Sequence, residues 1–94
     1  MNSYESVIIV TNKISDEERK KVISDISTYI KKVGNLTSID ELGEKKLAYE
    51  VRKHTSAFYY VFNFETNANN IAELERIYRI TDEILKFIVV RKDD

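Results

Sequence analysis

Leu42-Gly43-Glu44-Lys45-Lys46-Leu47-Ala48-Tyr49-Glu50-Val51-Arg52 is the stretch on which the reading of the fold turns. From Leu47 onward, Leu47, Tyr49 and Val51 recur at every second position with Ala48 and Glu50 between them, the period of a strand buried on one face. Ahead of them stand Glu41, Gly43, Glu44, Lys45 and Lys46. Gly43 can take a backbone conformation closed to other residues, so it predicts a bulge inside a long strand. Charges within a strand mark a sheet edge, where they discourage unwanted pairing.

The chain on either side completes the pattern. Residues 4–11 contain Val7-Ile8-Ile9-Val10, apolar on both faces, which suits a central strand. Ser15 is placed to cap a helix, with Glu18 three residues on to close a capping box. Val22, Ile23, Ile26, Tyr29, Ile30 and Val33 follow on one helical face, and Gly34 predicts a left-handed stop. Asp16 with Lys20 and Glu17 with Lys21 have the acid-first spacing of solvent-facing pairs. The second strand spans about residues 36–53, His54-Thr55-Ser56 forms a turn, and residues 57–65 return as a third strand. Asn70 is expected to cap a second helix with Glu73 in its first turn and Ile71, Leu74, Ile77 and Tyr78 as its buried stripe. Residues 81–83 turn the chain into a last strand, 84–91.

Strand, helix, strand, strand, helix, strand is the split βαβ, or ferredoxin-like, order: an α+β fold with a four-stranded antiparallel sheet and two helices on one face. The first and third strands belong in the centre, the second and fourth at the edges. The 94 residues suit a single domain, 1–94, burying roughly 60 to 65 per cent of its extended surface.

Composition removes several classes of function. Without cysteine there is no disulfide, thiolate metal site or cysteine nucleophile. Apolar runs are far shorter than a membrane span and no basic segment precedes the first of them, so a soluble cytoplasmic protein is expected, without a secretory signal. His54 is the single histidine and is expected on the surface without a catalytic partner; two glycines cannot write a phosphate-cradling loop, and the carboxylates show no cage spacing. No enzyme, metal or other cofactor is expected. An RNA recognition motif shares the element order, but Ser56-Ala57-Phe58-Tyr59-Tyr60-Val61-Phe62-Asn63 lacks its pattern of aromatics, so that stacking platform is absent.

With Leu36, Leu47, Tyr49, Phe62 and Phe64 facing the helices, alternation sends Tyr59, Val61 and Asn63 to the other face, joined by Val7, Ile9, Ile88 and Val90. An uncovered apolar face of that kind marks a contact surface. Lys53, His54, Arg79 and Lys86 gather at one end of the sheet, Arg91 and Lys92 at the other. Taken alone, each group reads as a solvated rim, and a net charge of −1 announces no nucleic-acid partner.

The opening stretch also resembles a family signature. Gly43-Glu44-Lys45-Lys46-Leu47-Ala48-Tyr49-Glu50-Val51-Arg52 is similar to that of the bacterial small-subunit ribosomal protein six family, with Glu50 where proline is common. Tyr4-Glu5, Arg79-Ile80-Thr81-Asp82 and Ile88-Val89-Val90-Arg91 extend the likeness over about residues 4–92. The resemblance implies a structural, non-enzymatic component of the small ribosomal subunit that binds its ribosomal RNA together with small-subunit ribosomal protein eighteen. Under that reading Asp40, Glu41, Lys45, Lys46, Tyr59 and Val61 dock the partner protein, and Lys53, Arg79, Lys86, Arg91 and Lys92 meet RNA phosphates. The alternative is a ferredoxin-like interaction or ligand-sensing domain that pairs with itself through the open face.

Overall fold

The two strands that are apolar on both faces lie side by side in the middle of the sheet. The computed structural model describes residues 1–92; positions 93 and 94 of the expected domain lie outside the described residues. Its elements are β1 (Asn2–Val10), α1 (Asp16–Val33), β2 (Gly34–Val51), β3 (His54–Thr66), a single 3-10 turn (Ala68–Asn70), α2 (Ile71–Ile80) and β4 (Ile84–Lys92). The strands pair antiparallel in the order β2-β3-β1-β4, which is the ferredoxin-like arrangement.

The main core lies behind the sheet. Tyr4, Ile8 and Val10 of β1 and Tyr60, Phe62 and Phe64 of β3 pack in one cluster with Ile23, Ile26 and Ile30 of α1 and Leu74 and Tyr78 of α2. Both helices therefore cover the same face. Tyr78 brings a polar tip into this core, bonded to the buried Ser6 hydroxyl at 2.8 Å, and burial pushes its phenol up to about 12.

Ser15 caps α1 as expected, its Oγ accepting from the Glu18 amide at 3.2 Å. Glu18 answers the serine hydroxyl at 3.3 Å instead of the backbone amide. On the exposed face Lys21 pairs with Asp25; exposed Asp16 pairs with Arg19, whose side chain is largely buried, lying 3.8 Å over the Phe58 ring and donating to the Tyr60 hydroxyl at 2.9 Å.

Gly34 is not a left-handed stop. Its φ of −173° is extended, and α1 passes straight into β2. The glycine is needed for space: a Cβ there would stand 2.0 Å from the Glu65 carbonyl oxygen and 2.9 Å from the Thr66 Cβ. Thr66 closes the helix end by donating to the Val33 carbonyl at 2.9 Å. Asn70 in turn donates to the Thr66 hydroxyl at 3.0 Å, so it braces this junction and does not cap α2.

The turn between β2 and β3 is tighter than the sequence suggests. Val51 pairs with His54, leaving Arg52 and Lys53 as a two-residue loop with φ of 49° and 64°. Both central residues at positive φ define the hairpin turn that normally takes Asn-Gly. Replacing Arg52-Lys53 with Asn-Gly is expected to raise stability by about 1–2 kcal/mol, read as a higher denaturation midpoint, because it relieves two left-handed side-chain positions.

Candidate functional site

β2 departs from its simple pairing three times, and these departures shape the exposed front of the sheet. The register shifts between Leu36 and Ser38, between Glu41 and Gly43, and between Lys46 and Val51. The second shift carries Gly43 at φ 81°, the expected bulge. Each extra residue reverses which positions face the helices. Leu36 and Ile39, opposite Phe64 and Phe62, pack against the main core. Beyond Gly43 the parity has changed twice, so Leu47 faces forward.

The third shift sets residues 47–50 of β2 against Thr55 alone. This wide bulge folds onto the lower front, where Leu47 is only 8% exposed in a second cluster with Ala57, Leu85, Ile9, Val51 and Tyr59. Tyr49, expected behind the sheet beside Leu47, is 64% exposed on the front. Its hydroxyl accepts from Lys86 of β4 at 3.0 Å, joining the two edge strands across the face. That bond draws the Tyr49 phenol below its usual range and holds the Lys86 ammonium above its own.

The upper front stays open. Val7 pairs with both Val61 and Ile88, and Glu5 with Val90 and Asn63. Ile88 and Val90 are 56% and 43% exposed. Asp40 lies opposite Val61 and Lys45 opposite Ala57, placing both on the front with Tyr59 and Val61. Glu41 and Lys46 lie opposite Tyr60 and Ser56, on the helix side of the edge. The six residues assigned to a protein contact thus divide four to two by face.

The basic residues divide as well. Arg79 and Lys86 line one cleft of about 260 Å³, and Arg52, which sequence reasoning passed over, lines it too. Arg52 also reaches the Asp82 carbonyl at 3.5 Å. Nothing local flags Arg52; only its left-handed backbone at a two-residue turn turns it toward β4. Lys53 occupies the hairpin tip, and among the described residues neither it nor Arg79 forms an ion pair. At the far end Arg91 donates to Asn2 at 3.1 Å, while Lys92 binds Asn63 and approaches Glu5 at 3.5 Å. Arg91 and Lys92 fall on opposite faces, opposite Tyr4 and Ser3.

His54 is a correction to the expected surface histidine. It is 8% exposed, with Nδ1 2.8 Å from the Arg52 carbonyl and Nε2 2.6 Å from the Thr11 hydroxyl. A carbonyl only accepts, so Nδ1 carries a proton and the ring staples the hairpin to the end of β1. The geometry as a whole offers contact surfaces. Among the described residues no group of three or more His, Asp or Glu is placed to hold a metal, and no helix is long and apolar enough to cross a membrane.

The model of the ribosomal protein S6 family matches residues 3–91. The chain is 38% identical over 95 aligned positions to the small ribosomal subunit protein bS6 of Caldanaerobacter subterraneus, with the whole of both chains covered. It is likewise 38% identical to bS6 of Thermoanaerobacter pseudethanolicus, again over the full length of both. The crystal structure of 30S ribosomal protein S6 from Thermotoga maritima superposes with a TM-score of 0.93 at 30% identity, covering 97% of this chain and 87% of that one. With the signature on the β2 bulge and the fold shared from end to end, the chain belongs to the ribosomal protein S6 family.

Proposed function

We propose that this chain is a structural, non-enzymatic component of the small ribosomal subunit, in the cytoplasm, that binds small-subunit ribosomal RNA together with small-subunit ribosomal protein eighteen. The observation that carries the reading is the open upper front, with Ile88 and Val90 exposed beside a charged edge strand, in a chain of this family. An apolar patch rimmed by charge is a protein-contact surface. Asp40, Lys45, Tyr59 and Val61 dock the partner protein from the front, with Glu41 and Lys46 behind the edge.

Lys53, Arg79 and Lys86 at one end, and Arg91 and Lys92 at the other, then meet RNA phosphates. A chain with net charge −1 neutralises few phosphates by itself. Sharing the RNA site with the partner accounts for that charge balance, and binding by this chain alone is weak. Phosphate contacts of this kind position the protein without reading sequence.

The register yields a test of the docking face. In titration calorimetry against protein eighteen, Lys45→Glu on the front is expected to weaken the complex roughly tenfold, and Lys46→Glu behind the edge by much less. Equal losses overturn the division by face, and no loss in either removes β2 from the interface.

A further inference from the structure

Tyr49 and the Arg52 cleft meet at one residue. Lys86 lines the cleft with Arg52 and Arg79, and it also lines the shallow depression formed by Tyr49, Leu47 and Tyr59. Its ammonium lies 5.5 Å from the centre of the Tyr49 ring and donates to that ring's hydroxyl. The tyrosine is therefore held at one end while most of its surface stays open to solvent.

The charge here is one-sided. In a chain with 15 basic and 16 acidic residues, three cations line this cleft and no carboxylate does; none lines the depression beside it. Two left-handed positions at the hairpin tip are occupied by Arg52 and Lys53, where Asn-Gly would cost less. Backbone strain of that kind gathers at sites that hold a ligand. An exposed aromatic ring beside a cluster of unneutralised cations suits a molecule with a flat face and adjoining negative charge. A base inside an A-form helix has both of its faces covered by its neighbours, whereas an unpaired one can stack on a side chain.

We propose that this corner holds one unpaired nucleotide of RNA, its base stacked on Tyr49 and its flanking phosphate in the cleft of Arg52, Arg79 and Lys86. The proposal rests on the RNA-binding reading above and adds to it a residue, Tyr49, that reads the open face of a base. The three cations bind the phosphate without regard to sequence, and the ring selects for single-stranded conformation at that point.

The test uses the full chain with protein eighteen and a small-subunit ribosomal RNA fragment, measured by filter binding over a salt series. Tyr49→Leu is expected to lower affinity about five- to hundredfold, the range for loss of one aromatic stack, with the salt slope unchanged. Tyr49→Phe, which keeps the ring and loses only the hydroxyl, is expected to recover that loss. Arg52→Ala and Arg79→Ala combined are expected to reduce the salt slope by about one phosphate, the one they share. Tyr49 is exposed, so the unfolding midpoint of the leucine variant stays at the wild-type value and separates a binding loss from misfolding. Wild-type affinity in Tyr49→Leu overturns the stacking while leaving the RNA reading in place. Loss of binding to protein eighteen without RNA in that variant gives Tyr49 to the protein contact and also overturns it. If the wild-type pair retains no RNA, the underlying reading fails first.

Discussion

Phe62→Ala is expected to destabilise the fold by about 3–5 kcal/mol, the cost of emptying a large aromatic site in a closed core. Phe62 is fully buried, sits on the central strand β3 between Ser6 of β1 and Ile39 of β2, and belongs to the cluster that both helices cover. With about 5–15 kcal/mol typical for a whole domain, this single change removes a large share of the total. The measurement is the denaturant midpoint at unchanged slope. Val61→Ala, one residue earlier and on the half-open front, is expected to cost under about 1.5 kcal/mol because little is buried there to lose. Equal losses at the two positions contradict the division of β3 into a helix-facing and a front-facing row.

Gly34→Ala is expected to cost about 3 kcal/mol, at the upper end of what overpacking produces. The atom that a new Cβ meets is the backbone oxygen of Glu65, 2.0 Å away, and it cannot swing aside as a side chain can. Relief requires β2 to draw away from β3 at the first pair, Gly34 with Thr66, which also disturbs the hydroxyl that closes α1. Gly43→Ala makes the opposite case: nothing lies within 4 Å of the new Cβ, but φ is 81°, so the cost is about 1 kcal/mol of left-handed backbone. Gly34→Asn discriminates further. Asparagine tolerates a left-handed stop, so a stable Gly34→Asn variant contradicts the steric explanation.

The contrast between the two glycines shows what a sequence carries and what it does not. Gly43 stands inside a run of charged and alternating residues, and its bulge follows from that context. Gly34 follows a helical stripe, where a left-handed stop is the common use; the close approach of Glu65 is a tertiary fact, 31 positions away, with no local signature. Element order and the central placement of β1 and β3 were legible because runs apolar on both faces have no other stable position in a sheet covered on one side. The face of Leu47 and Tyr49 was not, since alternation fixes only relative parity and β2 shifts register three times. Only Gly43 advertises a shift; the four-residue bulge over 47–50 has no glycine to mark it.

Burial misled in a similar way at His54, which looks like a turn residue beside Thr55 and Ser56. Because the turn is confined to Arg52-Lys53, β3 begins at His54 itself, and its ring reaches Thr11, just past the end of β1, three elements earlier. The same compression turns Arg52 toward Arg79 and Lys86. Of the proposed site, the front-facing Tyr59 and Val61 were readable from strand alternation. The cation cleft was readable only in part, because its third member depends on a backbone conformation that arginine rarely adopts.

The most direct test of the central proposal is retention of a small-subunit ribosomal RNA fragment on filters by this chain, with and without protein eighteen, at one fixed salt concentration. The expected result is weak retention by the chain alone and tight retention when the two proteins are present together, beyond the sum of their separate binding. Equal retention with and without the partner, or a stable homodimer that covers the front and binds no RNA in either case, contradicts it.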